Sequence, residues 1–223
     1  MERTVAGLFG VGVEVACAVP RDCMGELHAA ERSIAEGAGA KRRAEFSTGR
    51  ACAHAALRRL GVPDAPVLML ESRAPAWPSG LVGSVSHTNG CCAAVVGMSP
   101  PWLAIGLDVE RDVALAPGLE ARVCTTAERA WLVERPPAER GHWAKLFFSA
   151  KEAVYKCQHP LAGLRLGFQD VEVQLRGGEF SAVLGDARQL PPGCAFPRSL
   201  CGSFDRVEGF VVAGVAVPAA PAA

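Results

Sequence analysis

The chain has 223 residues, 50% of them hydrophobic and 21% charged, which is enough for one large domain or two compact halves with real cores. Its 23 basic and 23 acidic side chains cancel, so no global field selects nucleic acid, an anionic membrane or a strongly charged partner. No segment offers 18 uninterrupted apolar residues, and the nine cysteines are odd in number and lack a Cys-x-x-Cys pair. These features predict a cytoplasmic globule with reduced, mostly buried thiols rather than a membrane protein or a disulfide scaffold.

In chain order, residues 1–20 carry a short apolar run interrupted by Glu14 and read as a first strand. Residues 24–37 have helical period, as do residues 41–60, a segment stopped by Gly61 and Pro63. Residues 67–98 turn extended: "VLMLES", a turn-rich "RAPAWPSG", then "LVGSVSH" and "CCAAVVGM" about a Thr88-Asn89-Gly90 turn. "WLAIGLDVE", 102–110, reads as another strand. Thr125-x-x-Glu128 is a capping box that opens a short helix, and Pro136-Pro137 separates it from a longer one through about Cys157. Four strand-like runs about Gly-rich turns follow, and the Ala/Pro tail reads as disordered. The expected fold is α+β in two halves, 1–103 and 104–223, with a seam between about Pro100 and Ala104.

Four elements carry chemistry. On the long helix, Trp143, Leu146, Phe147, Ala150, Ala153, Val154 and Cys157 form an apolar stripe, while Lys145, Ser149, Glu152 and Lys156 line the other side at steps of four, three and four. Taken alone, Glu152 and Lys156 read as an ordinary solvated i,i+4 pair and decide nothing. In "IGLDVE", a strand projects Asp108 and Glu110 to one face about 7 Å apart, where a hard divalent cation would relieve their repulsion. "GSVSH" ends in Ser86 and His87, both able to donate to an anion, and without a Gly-x-Ser-x-Gly elbow Ser86 is no nucleophile candidate. From Lys41 to Leu60 six basic residues face one acid. Arg42 or Arg43 lies two turns before Arg50 on nearly one face, and arginine forks suit phosphate oxygens.

In this order, "RRAEFSTGRACAHAAL", "WPSGLVGSVSHTNG", "IGLDVE" and "FSAKEAVYK" resemble the surfactin-type 4′-phosphopantetheinyl transferases, and within them the enterobactin-synthetase-associated branch. The likeness covers about residues 40–218. It implies a pseudo-twofold monomer of two α+β halves that moves 4′-phosphopantetheine from coenzyme A to a serine of an acyl or peptidyl carrier protein, leaving 3′,5′-ADP. The resemblance matches Asp108, Glu110 and Glu152 to acids that hold Mg²⁺, with Mn²⁺ as a substitute. Glu152 is matched also to the base for the serine hydroxyl, and Lys156 to the lysine on the diphosphate and leaving group. Lys151 matches a second cleft lysine, Ser86 and His87 match residues near the 3′-phosphate, and Arg42, Arg50 and Arg73 match coenzyme A phosphate clamps; Arg43 is included with them by its helical spacing. A metal-dependent phosphohydrolase or a non-catalytic coenzyme A-binding module remain the alternatives.

Overall fold

A computed structural model describes residues 1–62, 65–185 and 189–219. Helix α1 (Glu2–Gly7) leads into strand β1 (Val13–Ala18). A single 3₁₀ turn (Met24–Glu26), α2 (Ala29–Ala35) and the long α3 (Ala40–Arg59) follow, then a small hairpin of β2 (Leu68–Met69) and β3 (Pro75–Ala76). Strands β4 (Leu81–Thr88), β5 (Cys91–Met98) and β6 (Trp102–Arg111) come next. Helices α4 (Glu120–Val123), α5 (Thr126–Val133) and the 26-residue α6 (Pro137–Ala162) precede β7 (Val171–Arg176), β8 (Glu179–Leu184), β9 (Ser199–Val207) and β10 (Phe210–Pro218).

The strands form two antiparallel sheets beside the hairpin, β1-β5-β4 and β6-β10-β9-β8-β7. Helix α3 covers the first and α6 the second, so one helix-on-sheet plan is used twice in an α+β fold, with three strands in one layer and five in the other. Period two explains how the layers fuse. On β5, Cys92, Ala94 and Val96 face Ala53, Ala56 and Leu57 of α3, while Cys91, Ala93 and Val95 join Ile105, Leu107 and Val109 of β6 and Val212 of β10 in a second core. A strand covered on both faces reads as a continuous apolar run, which is what "CCAAVVGM" is. The seam itself is polar: Ser84 of β4 donates to the Leu107 carbonyl, and Ser86 accepts from the Val109 amide.

Two elements differ from the expectation. Residues 2–7 form a helix, because Val5 seats into the shared core while its neighbours stay at least partly exposed, and the first strand starts at Val13. The helix expected over 24–37 splits at His28, whose extended backbone starts α2 afresh. Helix α6 runs past Cys157 to Ala162 and stops at Gly163, whose φ of 63° is a left-handed C-terminal cap. The Thr125–Glu128 capping box forms as read. Pro63 and the last four residues lie outside the described residues.

Candidate active site

Helix α6 lies unusually close to β6, and Gly106 is the reason: a Cβ there would collide with the Ala153 carbonyl oxygen. Because side chains alternate, the strand face that carries Gly106 also carries Asp108 and Glu110. The apolar stripe of α6 packs Ala144, Phe147, Ala150, Ala153, Val154 and Cys157 into the core of the five-stranded layer. The polar stripe is thereby laid against those acids.

The result is a ladder of paired groups. Ser149 donates to Asp108 Oδ2 at 2.8 Å, and Lys156 Nζ donates to Asp108 Oδ1 at 2.7 Å, to Ser86 Oγ at 2.9 Å and to the Leu107 carbonyl at 3.1 Å. Lys145 reaches Glu110 Oε2 at 3.4 Å, and one turn further His142 meets Asp112 at 3.0 Å. Burial, reinforced by the negative charge of Asp108, pushes the carboxyl of Glu110 above its ordinary range. Glu152 is raised in the same way, by burial first and then by Asp108, with Glu110 adding to the effect and Lys156 opposing it. Asp108, Glu110 and Glu152 are hard oxygen donors of the kind Mg²⁺ or Mn²⁺ takes, two of them raised by desolvation and mutual repulsion, but their ligand atoms are not all within 4.8 Å of one another.

Helix α6 and the β2–β3 hairpin enclose two adjoining cavities. The larger, about 600 Å³, is lined by Arg73, Glu152, Tyr155, His159 and Arg165 among others. The smaller, about 190 Å³, is lined by Arg73, Trp77, Ser84, Tyr155, Lys156 and His159. Arg73 holds a positive φ of 70° at the hairpin tip and borders both. Across the seam, His87 is half exposed with Nε2 3.0 Å from Arg42 Nη1, and burial lowers its proton affinity, favouring the neutral ring. Arg50 is only 6% exposed; one nitrogen donates to the Leu68 carbonyl at 3.2 Å, its Nε has no hydrogen-bond partner, and its charge stacks on Phe46. Burial lowers its pKa to about 10, with the negative charge of Glu31 opposing the shift and Arg42 adding to it. A further concavity of about 570 Å³, lined by Trp131, Phe147 and Phe180, lies between α5 and β7–β9, away from these groups.

Three of the expected anion ligands are taken up by protein groups. Lys151 is 3% exposed, and its three N–H donors go to Glu128 Oε2 at 2.7 Å and to the carbonyls of Val123 and Phe168, both at 2.8 Å; none remains for a phosphate. Its side chain borders the larger cavity beside Glu152, yet is held inward by these three bonds. Ser86 is 3% exposed and saturated: it donates to Asp108 and accepts from Lys156 and Val109. It organises the acid and is not available to an anion. Arg43 pairs with Asp22.

Sequence reasoning placed Ser149 and Lys145 on the polar stripe without giving either a task, and it gave none to Tyr155, His159 or Arg165. Tyr155 and His159 stand three and seven residues after Glu152, a helical spacing that could have flagged them.

Two family models match this chain: the 4′-phosphopantetheinyl transferase N-terminal domain over residues 30–97, and the 4′-phosphopantetheinyl transferase superfamily over residues 104–193. The chain belongs to the 4′-phosphopantetheinyl transferase superfamily. The transferase Svp of Streptomyces mobaraensis is 38% identical over 213 residues, 91% of this chain and 83% of that protein. PptT of Mycobacterium tuberculosis is 43% identical over 134 residues, covering 60% of this chain and 59% of its own. Enterobactin synthase component D of Salmonella typhimurium is 39% identical over 125 residues, 53% of this chain and 49% of that protein. As a phosphopantetheinyl transferase, the protein is an enzyme that transfers phosphopantetheine to carrier proteins. Among the described residues, no helix is long and apolar enough to cross a membrane.

Proposed function

We propose that the cleft between α6 and the β2–β3 hairpin binds coenzyme A, and that the protein acts as a monomer built of halves 1–103 and 104–223. The observation that carries this reading is Arg50, a buried cation whose Nε has no hydrogen-bond partner, on the far side of the seam from the acid ladder. Arg42, His87 and Arg73 join it in holding phosphates. Asp108, Glu110 and Glu152 would hold Mg²⁺ or Mn²⁺, which when bound supplies Lewis-acid charge to the diphosphate.

The carrier serine oxygen forms a bond to the phosphorus of the phosphopantetheine group while the bond to the departing 3′,5′-ADP oxygen breaks. Glu152, its carboxyl held above the ordinary range by burial and by Asp108, accepts the serine proton directly or through a water. Lys156, fixed by Asp108, Ser86 and the Leu107 carbonyl, offsets charge on the leaving diphosphate. Asp108 is held in one orientation by Ser149 and Ser86. The likeness to the enterobactin-associated branch, shared with a longer match to Svp, favours carrier domains of natural-product or siderophore assembly lines as acceptors. Intact-mass spectrometry of apo carrier domains incubated with the protein, coenzyme A and Mg²⁺, with an EDTA control, tests this. A metal-dependent gain of one phosphopantetheine supports it, and coenzyme A cleavage without carrier modification refutes it in favour of a hydrolase.

A further inference from the structure

Away from the cleft, α2 and α3 bring together a second set of ligand-type side chains. Glu31 is completely buried. Its carboxylate faces His54 Nε2 at 2.9 and 3.0 Å and accepts the Val67 amide at 2.7 Å and the His28 amide at 3.1 Å. The His28 and His54 rings lie 5.1 Å apart, tilted by 51°. One ligand atom from each of His28, Glu31 and His54 lies within 4.8 Å of the other two, the one such group of His, Cys, Asp or Glu among the described residues. A cavity of about 460 Å³, lined by Glu26, Leu27, His28, Ala51, His54 and Arg58, opens over the two imidazoles.

We propose that His28, Glu31 and His54 form a zinc site, separate from the acids of the cleft. Two imidazoles and one carboxylate with a fourth position open to water are a donor set that suits Zn²⁺ and not Mg²⁺, which prefers oxygen throughout. Bonds of about 2.0 Å in a tetrahedron set neighbouring ligand atoms about 3.3 Å apart, so the edge between His54 and Glu31 is nearly in place. Closing the third corner needs a rotation of His28, which is half-buried at the cavity rim. The metal takes the place of the proton between His54 Nε2 and Glu31, and that proton leaves to solvent. The amides of Val67 and His28 keep the carboxylate oriented as outer-shell partners.

The test uses the full chain, freed of metal and kept reduced, titrated with Zn²⁺ against a chromophoric chelator. Wild type is expected to take up one tight equivalent that Asp108→Ala also retains. His28→Ala, a rim substitution that leaves the buried pair intact, should weaken it by more than about tenfold, the lower end of what even outer-shell losses cost. Co²⁺ in the same site should give visible d–d bands without a thiolate charge-transfer band. No tight equivalent in wild type, equal Zn²⁺ affinity in His28→Ala, or a thiolate band showing that cysteines hold the ion would each overturn the assignment.

Discussion

Replacing Lys151 by methionine separates a structural lysine from a substrate-binding one. The substitution keeps most of the stem and deletes an ammonium that holds Glu128 and two carbonyls, Val123 at the end of α4 and Phe168 on the approach to β7. The two side chains are 2% and 1% exposed, so Glu128 would be left as a buried carboxylate with the Thr125 and Val173 amides as its remaining donors. Losing one partner of such a pair costs about 3–5 kcal/mol. For a chain of this size each kcal/mol moves the melting temperature by about 2–4 °C, so a drop of about 6–20 °C is expected by calorimetry. Burial already holds Glu128 above the ordinary carboxylate value of 4.5, and removing Lys151 raises it further. An acid whose folded-state pKa is raised destabilises above that pKa and stops doing so as it protonates. The deficit of Lys151→Met should therefore be largest at neutral pH and shrink as pH falls toward 4.5. Adding Glu128→Gln, which keeps an acceptor for the amides without the charge, should recover part of the loss. Below its lowered melting point the variant should bind coenzyme A normally. Wild-type melting together with a raised KM for coenzyme A would refute the reasoning and give Lys151 a part in binding the substrate.

Three further outcomes are expected. Glu152→Gln should lower transfer by about 10²–10⁴-fold. Because the folded-state pKa of Glu152 is raised, its ionisation costs stability above the ordinary carboxylate value, so the metal-free variant should melt above wild type at neutral pH and lose that advantage in acid; identical melting at both would contradict the burial argument. Arg50→Ala should raise the KM for coenzyme A by about 10–100-fold, the worth of a hydrogen bond to a charged group, with a smaller change in kcat; a fall in kcat alone would move Arg50 out of substrate binding. Ser149→Ala removes the 2.8 Å bond to Asp108 and should raise the Mg²⁺ needed for half-maximal transfer by about tenfold, with weaker Mn²⁺ binding by electron paramagnetic resonance and an unchanged KM for coenzyme A. Unaltered Mn²⁺ binding would leave Ser149 with a packing role.

The local elements were legible in the sequence wherever a period was long and clean. Residues 41–60 and the stripe from Trp143 to Cys157 announced α3 and α6, the strands β4, β5 and β6 appeared at close to their observed bounds, and Thr125-x-x-Glu128 marked the start of α5. The same strings carried the family resemblance. Period two placed Asp108 and Glu110 on one face, and period 3.6 placed Glu152 and Lys156 together, before any tertiary contact was known. What sequence left undecided was which polar groups would be spent inside the molecule. Ser86, Lys151 and Arg43 have the residue type and the spacing of ligands to an anion, yet each is occupied by protein groups that lie 17 to 70 residues away in sequence. A helix of six residues at the start escaped because it is too short to display a period, and its apolar residue, Val5, joins a core built by strands of both sheets. Spacing ranks side chains around an axis, but the direction of the cleft is set by where Gly106 lets α6 lie on β6 and by the rule that a buried donor must find an acceptor.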